Sequence, residues 1–204
     1  MTSILEQKYV HDVYETIASH FHITRGYLWN QVKQFIQSIP EISLVADIGC
    51  GNGKNSVGSS YFPIVSDVSQ QFLKICLEQG LEPSCCNVLT IPYRRNLFDY
   101  TLCVAVLHHL STKERRLRAL RELVRITKPG GEIFVQVWAF EQPKKSKKKF
   151  SKQENYVQWH LQRRFTKDKK KDIVLKRYYY VFREGELESL CVECNVEIKK
   201  SFYE

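Results

Sequence analysis

Leu44-Val45-Ala46-Asp47-Ile48-Gly49-Cys50-Gly51-Asn52-Gly53 is an apolar run that ends in an acidic residue and then places glycine at every second position. The apolar run reads as a buried parallel strand. The glycines let the chain turn sharply with positive φ, and a ligand can lie flat against backbone that carries no Cβ. A dinucleotide loop spaces its glycines G-x-G-x-x-G and runs straight into a helix whose N-terminus receives a pyrophosphate. The spacing here, Gly49-x-Gly51-x-Gly53, suits a nucleoside ligand with no phosphate to cradle and disfavours a dehydrogenase. A glycine-rich strand-to-helix turn is also an ordinary structural choice, so the loop alone does not decide.

Support comes from Asp67, eighteen positions after Gly49, which ends a second apolar run, Tyr61-Phe62-Pro63-Ile64-Val65. A carboxylate at the end of a second strand accepts both hydroxyls of a ribose. Asn87, followed by Val88, closes a third short run, Ser84-Cys85-Cys86, and its side-chain carbonyl can accept from an adenine amine. Taken singly, Asp67 is as readily a helix N-cap and Asn87 a turn residue. Three polar strand ends in register favour the nucleoside site.

The rest of the chain alternates helical and extended patterns. Ile4 to His20 carries Ile4, Leu5, Val10, Val13, Tyr14, Ile17 and, just beyond, Phe21 at helical spacing, with Ser3 available as N-cap. A stripe of Leu28, Val32, Phe35 and Ile36 predicts a second helix up to Pro40, and both helices are expected across the mouth of the cleft. The first crossover leaves room for a short or irregular helix only. A helix over 70–79, strands over 82–87, 97–105 and 132–138, and a helix capped by Ser111 with Glu114 completing a capping box then follow. His108-His109-Leu110 falls at the carboxyl end of the fourth strand, where open α/β sheets bind ligands. The expected fold is therefore α/β, a doubly wound and mostly parallel sheet. Past Trp138 the pattern stops. Order is expected to return at Arg177, with a helix through Cys194 and a last strand over 196–202.

At 204 residues the chain fits one domain, with 1–40 as a helical cap and 142–175 as a basic, partly mobile insertion. No apolar run approaches the ~20 residues of a membrane-spanning helix and the N-terminus lacks a signal core. A soluble, intracellular protein is expected, cytoplasmic with the nucleus as alternative. Seven cysteines, an odd number, sit in or beside apolar runs and suit a reducing compartment. Cys191-x-x-Cys194 has no second pair, so no metal site is expected. The net charge of +9 is uneven: residues 144–177 hold fourteen basic side chains against three acids, which leaves the remaining body slightly acidic. One basic segment on a near-neutral body points to a polyanionic partner, or to a solvated loop or nuclear-import patch.

The glycine loop with its preceding acid resembles motif I of the class I S-adenosylmethionine (SAM) methyltransferases. A wider set of stretches is similar to one family within them, the tRNA wobble-uridine carboxymethyl methyltransferases. These are Tyr9-Val10-His11-x-Val13-Tyr14-x-x-Ile17-Ala18-x-His20-Phe21-x-x-Thr24-Arg25, Asp47 to Lys54, and Val106-x-His108-His109-x-Ser111-Thr112-x-Glu114-Arg115-Arg116. Val137-Trp138-Ala139-x-Glu141-Gln142 and Arg177-Tyr178-Tyr179-x-x-x-Arg183-Glu184-Gly185-Glu186-Leu187 complete the set. Asn87 departs from the usual acidic residue. The family's final strand with Asn-Trp-Trp has no counterpart before Glu204, so six strands are expected.

The resemblance implies transfer of the SAM methyl to the carboxylate of a 5-carboxymethyluridine at the tRNA wobble position. A carboxylate with a reference pKa near ~4 arrives ionised and needs no general base, so the enzyme's work is positioning and desolvation. On this reading Asp47, Gly49, Gly51, Gly53, Asp67, Asn87 and Val88 hold SAM. Arg25 binds the carboxylate through two parallel hydrogen bonds, and His109 donates to the same group or to the uracil edge. Trp138 and Tyr178 stack on the base, and Arg177 meets a phosphate or the carboxylate. The implied partners are the tRNA anticodon stem-loop, gripped through charges such as Lys169, Lys170 and Lys171, and a small zinc-binding activator subunit against the strand segment 81–88. Two rivals share most of these features: a methyltransferase of a small molecule, and a catalytically silent RNA-binding subunit.

Overall fold

A computed structural model describes residues 3–143, 146, 149–166 and 171–203. Of the basic segment, Lys144, Lys145, Lys147, Lys148, Lys167, Lys169 and Lys170 lie outside the described residues. Helix α1 opens as Ile4–Glu6, widens to a π turn over Gln7–His11 and continues as Asp12–Thr24; α2 spans Asn30–Ser38. Strands β1 (Leu44–Ile48) and β2 (Phe62–Asp67) are joined by turns without a helix, as the short crossover requires. Then come α3 (Gln70–Glu78), β3 (Pro83–Cys85), β4 (Phe98–Val104), α4 (Lys113–Ile126), β5 (Thr127–Gln136), β6 (Glu154–Leu161), β7 (Ile173–Tyr180) and α5 (Glu186–Val192).

The main sheet has five parallel strands in the order β3-β2-β1-β4-β5. Alternation along the strands sends side chains to two cores. Val45, Leu102 and Val104 meet Val32 of α2 on one face, while Ala46, Ile48, Phe98 and Cys103 meet Leu117, Leu120 and Leu123 of α4 on the other. Each of the buried Val, Leu, Ile and Phe side chains among these stabilises the fold by roughly 1.5–3 kcal/mol, and cover on both faces accounts for the apolar run at 44–46. Strand order reverses between β1 and β4, which opens a crevice at their carboxyl ends.

The structure corrects six expectations of the sequence. The sheet has five strands, not six: β6 and β7 form a separate antiparallel hairpin, so order begins at Glu154 rather than at Arg177. In the hairpin Val157, Trp159 and Leu161 alternate inward and pair with Arg177, Leu175 and Ile173; Trp159 and Leu161 pack on Val13 and Ile17 of α1. Residues 196–202 form no strand; side chains alone anchor them beside β5, through Phe202 on Phe134 and Lys199 on Glu132. Only α1 lies near the cleft, because α2 buries its stripe against the sheet. Locally, the cap of α4 is Thr112, whose Oγ1 accepts from the Arg115 N–H. Ser111 turns instead to Glu6, a buried carboxylate that accepts from the Ser111 N–H and hydroxyl and from two nitrogens of Arg115. That cluster ties α1 to α4, and Ile4, expected in the apolar stripe, is exposed.

Candidate functional site

The glycine loop leaves β1 with Gly49, Gly51 and Gly53 all at positive φ. A Cβ at Gly49 would sit 2.3 Å from Val106 Cγ2, so that glycine is dictated by packing, whereas nothing lies within 4 Å of a Cβ at Gly51. Gly51 therefore presents bare backbone to open space. Its N–H donates to Asp67 Oδ2 at 2.9 Å, and the Ser69 N–H donates to Asp67 Oδ1 at 2.9 Å. Asp67 is thus fixed by the loop and by the start of α3, with lone pairs left for further donors. Burial raises its carboxyl above the usual range.

Asp47 is buried beneath the same loop. Its Oδ2 accepts from the Ser56 hydroxyl at 3.1 Å, while Oδ1 has no partner. Burial pushes its pKa up to about 7, against the opposing pull of Ser56. An orphaned acidic oxygen at the end of β1 is suited to a cationic ligand group. Asn87 uses its side-chain carbonyl to accept from the Leu89 N–H at 2.9 Å, the turn role its residue type also allowed. The side chain of Val88 is buried in the core.

At the far side of the crevice α1, the turn after β4 and β7 converge. His109 Nδ1 lies 2.8 Å from the Tyr178 carbonyl and Nε2 lies 3.0 Å from the Tyr14 hydroxyl. A carbonyl only accepts, so Nδ1 carries the proton and Nε2 receives the Tyr14 hydroxyl proton. Burial lowers the His109 pKa to about 3. The ring is neutral with both nitrogens engaged, and the expected donation to substrate gives way to a bracing role. The Tyr14 oxygen is then an acceptor for Tyr179 and for Arg177, whose NH1 lies 3.4 Å from Tyr14 and 2.9 Å from Tyr179.

Arg177 is the unusual residue of the molecule. It is 5% exposed, its Nε has no partner, and among the described residues no carboxylate pairs with it. Its guanidinium lies 4.7 Å from the Trp159 ring centre and 5.3 Å from that of Tyr179. Arg25, exposed, sits 5.1 Å from the same Trp159 ring, so two guanidinium groups share one aromatic platform. Trp159 is held in turn by donating its indole N–H to His20 Nδ1 at 3.2 Å. Half-buried Trp138 packs 5.0 Å from Tyr179. Tyr178 is fully buried against Tyr156 and cannot stack on a base, because β7 turns its ring into the protein.

The two halves touch. Glu15 of α1 accepts from the Ser69 hydroxyl beside Asp67, Val106 contacts Gly49 just ahead of the His109 turn, and Asn52 of the glycine loop reaches the Arg25 carbonyl. A cavity of about 1460 Å³ lies elsewhere: it follows β5 and residues 195–203, and Trp138 lines it, but the glycine loop, Arg25 and Arg177 do not. Tyr14, Trp159 and Tyr179 escaped the sequence reading as site residues; their signal is the two-residue alternation that puts Trp159 and Arg177 on one face of a hairpin.

The "Methyltransferase domain" family matches residues 46–135. A Schizosaccharomyces pombe protein named tRNA (carboxymethyluridine(34)-5-O)-methyltransferase is 39% identical over 200 residues, covering 91% of this chain and 87% of its own length. The chain belongs to the tRNA (carboxymethyluridine(34)-5-O)-methyltransferase family. A Xenopus tropicalis relative of the same name is 36% identical over 251 residues, which cover 99% of this chain but only 40% of the longer relative. A SAM-dependent methyltransferase from Methanosarcina mazei shares the fold, with a TM-score of 0.62 at 17% identity over 85% of this chain and 87% of the other. So does a chain of the complex between the Haloferax volcanii Trm112 methyltransferase activator and a methyltransferase, with a TM-score of 0.53 at 18% identity over 67% and 61%. The expected fold, a class I SAM-dependent methyltransferase, is the one observed. SAM is the cofactor of these enzymes, and the residues that would hold it are Asp47, whose unpartnered Oδ1 suits its ammonium, Gly51, whose bare backbone faces open space, and Asp67, whose free lone pairs suit its ribose.

Proposed function

We propose that this chain transfers the methyl group of SAM to the carboxylate of a 5-carboxymethyluridine at the wobble position of a tRNA, giving the methyl ester. The observation that carries the reading is Arg177, a buried guanidinium with a free donor and, among the described residues, no carboxylate paired with it. Holding an uncompensated charge away from water is unfavourable by several kcal/mol, and an anionic ligand removes that penalty. The names of the curated relatives supply the anion: a uridine that bears a carboxylate.

Bound SAM supplies an electrophilic methyl on a sulfonium. The chain's own residues position the nucleophile. Arg177, aligned by Tyr14 and Tyr179, and Arg25 above Trp159 bind the carboxylate and turn one oxygen toward the cleft. The brace through His109 and the Tyr178 carbonyl holds Tyr14 as an acceptor, so that Arg177 keeps its remaining donors for substrate. No side chain has to take a proton, since a carboxylate attacks as the anion. The neutral, fully engaged His109 and the Tyr179 hydroxyl, held well above its usual pKa by burial, are consistent with a site that binds charge and performs no base chemistry. Orienting two reactants in this way can supply roughly 7–11 kcal/mol.

We further assign β3, the edge strand of the sheet, as the seat of a small zinc-binding activator subunit, supported by its free edge and by the Haloferax complex. Incubation with tRNA and isotopically labelled SAM, with and without an activator subunit, tests the activity. Label that is released by mild alkali marks an ester and supports the reading; alkali-stable label contradicts it.

A further inference from the structure

Between α1 and α2 the chain displays Arg25-Gly26-Tyr27-Leu28-Trp29, in which Tyr27 is 92% exposed and Trp29 is 36% exposed. The glycine loop fixes the backbone of this segment. Lys54 donates from Nζ to the Tyr27 carbonyl at 2.8 Å, Asn52 donates from Nδ2 to the Arg25 carbonyl at 3.4 Å, and the Lys54 ammonium lies 4.8 Å from the Trp29 ring centre. An aromatic ring in water on a backbone clamped at both sides is held out for a ligand rather than left loose. Its surroundings are cationic: among the described residues neither Arg25 nor Lys54 is in an ion pair, and burial with the nearby Arg25 lowers the Lys54 pKa. Arg164 continues the band across the Phe165 ring, which stacks on His20. Aromatic faces interleaved with backbone-tracking cations form the recognition surface for single-stranded nucleic acid, where each base–ring stack is worth ~1–3 kcal/mol.

We propose that Tyr27 is a stacking platform for an unpaired base next to the target nucleotide in the tRNA loop, with Lys54 on the intervening phosphate. The inference rests on the tRNA reading above and names where the strand runs as it leaves the cleft. Because the clamp comes from Asn52 and Lys54, the platform is set by the same loop that holds SAM, so one loop orders cofactor and RNA together.

Binding of a fluorescent anticodon stem-loop RNA carrying 5-carboxymethyluridine, measured across a salt series, tests it with Tyr27→Ala, Tyr27→Phe and Lys54→Gln. Tyr27→Ala weakens binding roughly 5- to 150-fold with an unchanged salt slope, since a neutral stack is lost; Tyr27→Phe stays within about twofold of the unaltered protein because its ring still stacks. Lys54→Gln flattens the slope. SAM affinity, read by calorimetry, stays the same in Tyr27→Ala. Unchanged RNA affinity in Tyr27→Ala overturns the platform, as does a change in its salt slope, and points to a protein partner for this face. If the unaltered protein binds no RNA, the tRNA reading falls with it, which separates the two failures.

Discussion

Replacing Arg177 with Met keeps most of the volume and removes the charge. In stability the opposing effects are of similar size. The variant loses charge-assisted hydrogen bonds to Tyr179 and Tyr14, at 2.9 and 3.4 Å, of which only the shorter is strong, worth about 1.5–3 kcal/mol. It also loses a cation–π contact with Trp159 of about 1–2 kcal/mol. Against this it no longer buries a guanidinium with no counter-ion, a relief of several kcal/mol. The net change is within about 2 kcal/mol, which for this chain length moves Tm by less than about 8 °C. In binding the effects do not cancel. A bidentate pair to the substrate carboxylate disappears, at about 3 kcal/mol, so kcat/KM falls on the order of 100-fold. The carboxylate loses charge as the ester forms, so the pairing is stronger in the bound ground state and most of the fall appears in KM. Steady-state kinetics on carboxymethyluridine-containing tRNA, with melting curves on the same preparations, decide the matter. A variant that keeps kcat/KM within about threefold (under 1 kcal/mol), or one that simply fails to fold where Arg177→Lys folds and works, refutes the assignment.

Asp47 makes SAM binding pH-dependent: with its pKa raised to about 7 by burial, the free protein holds it mostly neutral at lower pH, and a cationic ligand must expel that proton. Affinity therefore falls by up to about tenfold per pH unit below 7, and calorimetry that finds a flat profile from about pH 6 to 8 contradicts the role. Gly51→Ala, with φ +54 but open space around the new methyl, should cost about 1–2 kcal/mol in melting experiments and weaken SAM at least about tenfold. Gly49→Ala, whose Cβ meets Val106 at 2.3 Å, should lose more stability than Gly51→Ala; equal melting points would show the packing argument wrong. Glu6→Ala removes the acceptor shared by the Ser111 N–H, the Ser111 hydroxyl and two Arg115 nitrogens and should cost roughly 2–4 kcal/mol, a fall of about 5–12 °C in Tm, with activity at low temperature retained.

The glycine loop, the doubly wound, mostly parallel sheet implied by alternating elements, and Asp47 and Asp67 at strand ends were legible because each follows from local chemistry: an apolar run, a positive φ, a carboxylate at a carboxyl end. The hairpin was not. Lysine-rich flanks around 154–177 hide the period-two pattern of Val157, Trp159 and Leu161, and composition then reads as a solvated loop. An arginine at an inward position of a strand is the sequence trace of an anion site, but it shows only once the register of β6 on β7 brings Arg177 under Trp159. His109 and Tyr178 were placed in the correct neighbourhood with the wrong task, since sequence cannot show that a ring nitrogen meets a carbonyl or that a strand turns its tyrosine inward. Three-dimensional pairing, not residue type, decides both.

The account stands or falls on a substrate carboxylate seated at Arg177. Nucleoside mass spectrometry of tRNA before and after incubation with the protein and SAM reads that event directly. Loss of 5-carboxymethyluridine with matching gain of its methyl ester is expected, with both changes slower by roughly 100-fold in the Arg177→Met protein at a tRNA concentration below KM. Methylation of any other nucleoside, or ester formation that is indifferent to Arg177, contradicts it.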